Sequence, residues 1–352
     1  MFDTGNTGFM LVATSLVMLM TPGLAFFYGG LVGRKNVLAI MIQSFVSMGW
    51  TSVLWFTVGY SLCFSGDVGG VIGNLKMAFL TVWLLFVYFP AVHMIWGGGF
   101  LQKWGVLDFA GGIVVHAIAG TAALASVIYV GRRRTPDSGP HSIPLVALGT
   151  GLLWFGWYGF NAGSEFRVDS VTAVAFLNTD IAASFAAIVW LALDWSRASK
   201  PKFLGLLTGA VAGLATITPA AGYVSPVTAV IIGCAAGLVC YYAVALKNRL
   251  KLDDALDVWG VHGVGGSLGI VLLGVFATKA FNPAGSDGLL AGNSGFFVAE
   301  VGAVVLAVVW AFAFTWAMLW LIDRVTPVRV TEAMEEAGLD EGLHGEVSYL
   351  GM

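Results

Sequence analysis

Ten apolar stretches, each long enough to cross a bilayer, follow one another along this chain of 352 residues with short polar loops between them. They run from Phe9 to Tyr28, Val37 to Phe64, Met77 to Trp96, Gly111 to Val130 and Ile143 to Phe160. The second five run from Val171 to Trp195, Leu204 to Tyr223, Val227 to Leu246, Val258 to Thr278 and Phe296 to Leu321. Runs of this length are helices, because lipid supplies no partner for unpaired backbone groups and transmembrane strands are shorter and alternate. The sequence therefore predicts an all-α polytopic membrane protein, with a transmembrane domain over 1–323 and a polar tail over 324–352. The 47 glycines imply close helix contacts through small residues.

Composition excludes several classes. Only 11% of residues are charged, against roughly 25% in soluble domains, and a net charge of −3 offers no basic field for nucleic acid. Cys63, Cys234 and Cys240 lie in or beside apolar runs without ligand spacing, so they read as packing residues. The N-terminus has no Lys or Arg before its first apolar run, which predicts that the first helix is retained. No cofactor motif is present.

Loop charge sets orientation, since Lys and Arg concentrate on the cytoplasmic side. Basic clusters follow the first, fourth, sixth, eighth and tenth helices, at Arg34-Lys35, Arg132 to Arg134, Arg197 to Lys202, Lys247 to Lys251 and Arg324 to Arg329. With ten crossings the first cluster faces away from the rest. One more crossing between Phe64 and Met77 would place all five on one side together with Lys76, leaving only Lys103, Arg167 and Lys279 opposite. The linker from Ser65 to Lys76 is too short and Gly-rich to span. Either a helix is missing there or Arg34-Lys35 is an exception to a statistical rule. With the missing helix, the N-terminus lies outside and the tail inside.

Ionisable residues inside apolar spans point to function. His116 sits in GGIVVHAIAG and His262 in WGVHGVGG, each preceded by an aspartate at a helix start, Asp108 and Asp257, where a carboxylate caps free amides. Two such patterns in different halves of the chain suggest an inverted repeat around a midplane site. The imidazoles would then meet and line a narrow path, sharing one hydrogen. The alternative is that each separately satisfies a carbonyl. Two histidines without a third ligand do not make a catalytic zinc site. His93 reads as interfacial, and His141 and His344 as loop and tail residues.

Trp96, followed by three glycines, ends one helix. Ser164 ends another on the same predicted side, with Phe160 one turn deeper. An indole face with a hydroxyl suits a small cation, and a Trp at this depth equally suits an interfacial anchor. Asp180 and Glu300 also lie in apolar runs, with no role legible in the sequence.

The stretches TPGLAFFYGGLVGRKNVL, HMIWGGG, LDFAGGIVVH, GWYGFNAGS, TPAAGYV, DDALDVWGVHGVGG and RVTEAMEEAGLDEGLHGEVSY span nearly the whole chain. In this order they resemble the Amt/Rh family of ammonium transporters, prokaryotic Amt type. The resemblance implies an ammonium transporter or ammonia channel. Trp96 and Ser164 would form the outer recruitment site, Phe160 one ring of a phenylalanine gate, and His116 with His262 the twin-histidine pair. Asp108 would support the recruitment site without touching the ion. It also implies a homotrimer in the cytoplasmic membrane and a PII-type signalling protein at the cytoplasmic face, with the acidic tail docked on the cytoplasmic loops. The family has eleven helices, however, and its third has no counterpart here, so the second phenylalanine of the gate is absent. Rival readings are an ammonium sensor of the same fold, a non-conducting deletion form, a channel for a neutral molecule such as carbon dioxide, and an intramembrane enzyme. Sensors usually carry an appended output domain, and no nucleophile or metal set supports an enzyme.

Overall fold

The computed structural model describes residues 3–64, 67–72, 83–134 and 139–349. Lys76 and the start of the apolar run at Met77 lie outside the described residues, as do Pro136, Asp137 and the last three residues. Among the described residues nine helices have the length and apolarity of membrane spans: α1 Thr4–Leu31, α2 Arg34–Phe64, α3 Leu84–Trp104, α4 Gly112–Val130, α5 Ile143–Gly163, α6 Ser170–Arg197, α8 Pro226–Arg249, α9 Trp259–Phe276 and α10 Ser294–Asp323. The seventh predicted crossing is the shorter α7, Phe203–Ile217. The helix α3 is interrupted at Gly97–Gly99.

The shortness of α7 has a local cause. Pro219 has no amide to donate back into the helix, and the chain turns through Pro219 to Tyr223, where the Pro219 carbonyl accepts a hydrogen bond from Phe109 N at 3.1 Å. Fifteen residues rise only about 22 Å, so α7 fits as a buried strut rather than a full crossing. Every residue from Gly205 to Ile217 except Leu206 is buried.

Polar side chains set several helix starts. Asp3, Ser142, Asp169, Ser225 and Asn293 each accept an amide from the first turn of the helix that follows. Glycines set the closest crossings. A Cβ on Gly149 of α5 would collide with the Phe27 backbone of α1, and one on Gly213 of α7 with the Ala182 carbonyl of α6. Small residues thus let backbones touch where lipid gives no hydrophobic drive for association.

After α10 two short helices, α11 Glu332–Ala337 and α12 Leu339–His344, fold back against one end of the bundle. Asp340 is buried and accepts the amides of Leu38 and Ala39 in the first turn of α2. Lys35 donates to the Glu336 carbonyl, Arg134 pairs with Glu332, and Tyr349 bonds His141 at 2.9 Å. The acidic tail is therefore packed on the basic loops that follow α1 and α4.

Candidate functional site: a histidine pair beside a buried cavity

Two helices meet without side chains between them. A Cβ on Gly120 of α4 would overlap the Gly263 backbone of α9, and one on Gly266 would lie 2.6 Å from the His116 Cβ. This contact draws His116 and His262 together, with Nδ1 to Nδ1 at 3.2 Å and ring centroids 5.3 Å apart at 26°. Each histidine sits in a single π-helical turn, Gly112–Ala117 and Trp259–Gly263, where the widened backbone turns a side chain out of register. The two patterns recognised in sequence thus converge.

The two helix starts are built differently. Asp108 is buried and its oxygens accept four amides, those of Gly111, Gly112, Ile113 and Val114, at 2.6 to 3.2 Å. It is the expected cap, and it holds the turn that carries His116. The expectation for Asp257 is corrected. Its carboxylate pairs with Lys247 at 2.5 Å, while Asp254 accepts Trp259 N at 2.9 Å. The backbone at Asp257 is left-handed, with φ of 55°, which turns its side chain away from the helix start.

Trp96 is half-buried and its indole donates to the Asp108 carbonyl at 2.7 Å, so the same residue that caps α4 orients the ring. Ser164 is half-buried and donates to the Phe160 carbonyl at 2.8 Å. No hydrogen bond joins Trp96 to Ser164 among the described residues. The Phe160 ring lies 6.1 Å from the His116 ring, and Trp157 stacks on His116 at 5.3 Å.

His93 is not interfacial. It is fully buried, with Nδ1 bonded to the Cys63 carbonyl at 2.8 Å and Nε2 at 3.4 Å from Asp67. Because a carbonyl only accepts, Nδ1 carries the hydrogen. Asp67 also binds Lys103 at 2.7 Å, and that ammonium with the Gly70 amide holds its carboxyl down at about 2. The cluster fastens the end of α2 to the far end of α3.

A cavity of about 380 Å³ lies against the histidines, with Tyr28, Leu24, Val115, Trp157 and Phe160 among its walls. Its polar groups are few. The His116 Nε2 is buried without a partner, and the Tyr28 hydroxyl is 3.5 Å from His262 Nε2. Tyr28 and Trp157 were not singled out in sequence, since an aromatic residue in an apolar helix carries no signal of its own. Asp180 and Glu300 now have partners. Asp180 accepts from Trp154 and Tyr158, and Glu300 accepts the Leu107 amide at 2.7 Å beside Asp108.

The structure is thus a many-helix membrane bundle with a paired-imidazole cavity. The profile of the Ammonium Transporter Family matches residues 8–81 and 76–349. A putative ammonium transporter from Methanothermobacter thermautotrophicus is 41% identical over 403 aligned positions, covering 99% of each chain. The crystal structure of Candida albicans Mep2 superposes with a TM-score of 0.88 at 31% identity, covering 94% of this chain and 87% of that one. A structure described as a sensor Amt protein gives 0.88 at 28% identity, with 97% and 98% covered.

This chain belongs to the ammonium transporter family, a family of multi-span membrane transporters. The profile match divides at residues 76–81, and the 403-position alignment exceeds the 352 residues of the chain. The extra positions and the break agree with the shortfall that loop charge predicts between Phe64 and Met77.

Proposed function

We propose that this chain moves ammonium through its own bundle by separating selection at the mouth from passage at the histidines. The paired imidazoles beside the buried cavity carry the reading. An isolated cation in such surroundings costs tens of kcal/mol in the Born limit, while attraction to an indole offers only about 2 kcal/mol. A cation held at Trp96 and Ser164 must therefore surrender its proton, or pass it along a polar row, before crossing the apolar walls beyond Phe160.

The row of Tyr28, His262 and His116 supplies such a path. A neutral pair shares one hydrogen between the two Nδ1 atoms. If His116 Nδ1 donates, its Nε2 is a bare acceptor facing the cavity and His262 Nε2 donates to Tyr28. If His262 Nδ1 donates, His116 Nε2 carries a hydrogen and Tyr28 donates to His262 Nε2. The two interconvert when a proton enters at His116 Nε2, the shared hydrogen crosses from His116 Nδ1 to His262 Nδ1, and a proton leaves His262 Nε2 on the Tyr28 side. Potassium, similar in charge, has no proton to give up, so a pore that demands deprotonation rejects it.

Replacing both histidines with alanine tests the assignment. We expect ammonium uptake into proteoliposomes to lose its selectivity over potassium, and rate and selectivity unchanged from the parent would refute the role of the pair. Currents in planar bilayers separate net charge movement from passage of neutral ammonia. The charge pattern supports an outside N-terminus, a tail on the cytoplasmic side over 324–352, and residence in the cytoplasmic membrane. The family resemblance supports a homotrimer with one pore per subunit and a PII-type protein at the cytoplasmic face. A sensor role would require a response to ammonium without flux.

A further inference from the structure

The segment that joins α5 to α6 is short and charged. The amides of Ser164, Glu165 and Phe166 donate to the carbonyls of Asn161, Ala162 and Gly163, so α5 ends in a tight turn. Phe166 is left-handed, with φ of 59°, and reverses the chain. The reversal lays Arg167 beside Glu165, with Nη2 and Nε on the carboxylate Oε1 at 2.7 and 2.9 Å, while Nε also lies 2.7 Å from Asp169.

The two partners of this ion pair sit in different surroundings. The Arg167 side chain is 55% exposed and that of Glu165 only 9%. Every hydrogen bond of the Glu165 carboxylate among the described residues falls on Oε1, which leaves Oε2 without one. Burial pushes the carboxyl above its ordinary 4.5 even with Arg167 beside it, and Asp169 adds to the rise. One exposed guanidinium therefore does not fully compensate the charge, and a second cation would.

A single turn links Glu165 to the Trp96 side of the mouth. The turn after α7 is tied to α5 by Trp157, whose indole donates to Thr218 at 3.0 Å, and to α6 by Asn178, whose amide donates to the carbonyls of Ala221 and Val224. Its Tyr223 ring meets the Phe109 ring edge-on at 5.4 Å, next to Asp108, whose carbonyl holds Trp96. Burial and the charges of Asp108, Glu165 and Glu300 raise the Tyr223 hydroxyl above its ordinary range, so all three carboxylates lie within electrostatic reach of this one ring. A recess lined by one sign of charge concentrates the opposite ion. Asp108 is saturated by four amides and Glu300 is fully buried, which leaves Glu165 as the one with an oxygen to offer.

We infer that Glu165 is the charged ligand of the outer cation site, its Oε2 accepting an N–H of the ammonium ion held by Trp96 and Ser164, and that Arg167 is a tethered competitor for the same carboxylate. The inference rests on the reading of Trp96 and Ser164 as the place where the cation is held. Glu165 follows Ser164 directly, so hydroxyl and carboxylate approach from one turn of backbone and the indole from α3. Ammonium donates in four directions and can use them together. The hold of Arg167 on Oε1 weakens the pull of the carboxylate, so the ion is captured without being trapped.

The kinetics of ammonium uptake into proteoliposomes test this, because a carboxylate that only anchors the loop and one that binds the ion predict different signs. Glu165→Gln should raise KM about fivefold or more, with a smaller change in maximal rate. Arg167→Gln, which frees the carboxylate, should lower KM about twofold or more. The rise in Glu165→Gln should persist in about 0.5 M sodium chloride, where the screening length is roughly 4 Å. KM rising in both variants, or unchanged in either, would overturn the inference, as would a rise that vanishes at high salt and so marks only a distant attraction. Calorimetric titration of the purified protein with ammonium chloride separates this from the transport reading. Weaker binding in Glu165→Gln with no uptake even by the parent would uphold the site and refute transport, whereas uptake by the parent with equal binding in the two proteins would refute the site alone.

Discussion

The histidine pair has one tightly built side and one open side, and they are held by different forces. On the tight side, glycines at 120, 149 and 266 let α4 meet α9 and α5 meet α1 with backbones in contact. On the open side, no residue from Ile40 to Val53 of α2 is buried, and the helix is fastened at its ends. Asp340 and Asn36 tie its first end to the tail, and His93 and Asp67 tie its last end to α3. Close packing fixes the positions of the imidazole nitrogens, whereas polar end contacts fix only where a helix begins and stops. A helix pinned in this way can leave a cleft along its length without coming loose.

This contrast predicts graded effects. The largest belongs to Asp108, whose side chain accepts four buried amides that its removal would orphan. Asp108→Ala should lower stability by about 3 kcal/mol or more, read as denaturant resistance of the purified protein, with Asp108→Asn milder. An Ala variant as stable as the parent would show that the tight side does not depend on this cap. Next is Gly266→Leu, which inserts a side chain against His116. Overpacking of this kind costs about 1–3 kcal/mol, and it should also abolish ammonium uptake because the imidazoles separate.

On the open side the effects should be smaller. Asp340→Ala removes the cap on α2, worth about 0.5–2 kcal/mol, and should expose the tail to protease while the bundle stays folded. Cleavage at the parent rate would mean that the tail is held by its ion pairs alone. The smallest effect is pH-dependent. The Asp67 carboxyl lies at about 2 in the folded protein against an ordinary 3.8, so its contribution is complete above 3.8 and is lost as pH falls toward 2. Asp67→Asn should therefore lower the melting temperature slightly at neutral pH, with the difference from the parent shrinking as pH falls from 3.8 toward 2.

Much of this was legible along the chain because membrane helices are selected by length and apolarity, which are local properties. The ten apolar runs and the paired Asp-then-His pattern are of this kind. What was misread depended on contacts. Asp257 looks like a cap by spacing, but its left-handed backbone and the nearby Lys247 assign that task to Asp254. His93 looks interfacial because it ends an apolar run, yet Cys63, thirty positions earlier, buries it. Glu300 gave no signal because its partner is the amide of Leu107, almost two hundred positions away.

The sequence by itself determined the membrane class, the family and the place where a helix is lacking, since each follows from composition, charge parity or motif order, while the structure made the seventh apolar run a short buried helix rather than a full crossing. Tertiary structure decided that His116 and His262 share a 3.2 Å contact and that a cavity walled by Tyr28, Trp157 and Phe160 lies against them. The physical reason is that the first set depends on each segment and the solvent it meets, while the second depends on how closely two backbones approach. That distance is set at glycines whose partners lie far along the chain, and it is lost wherever a neighbouring helix is not there to make the contact.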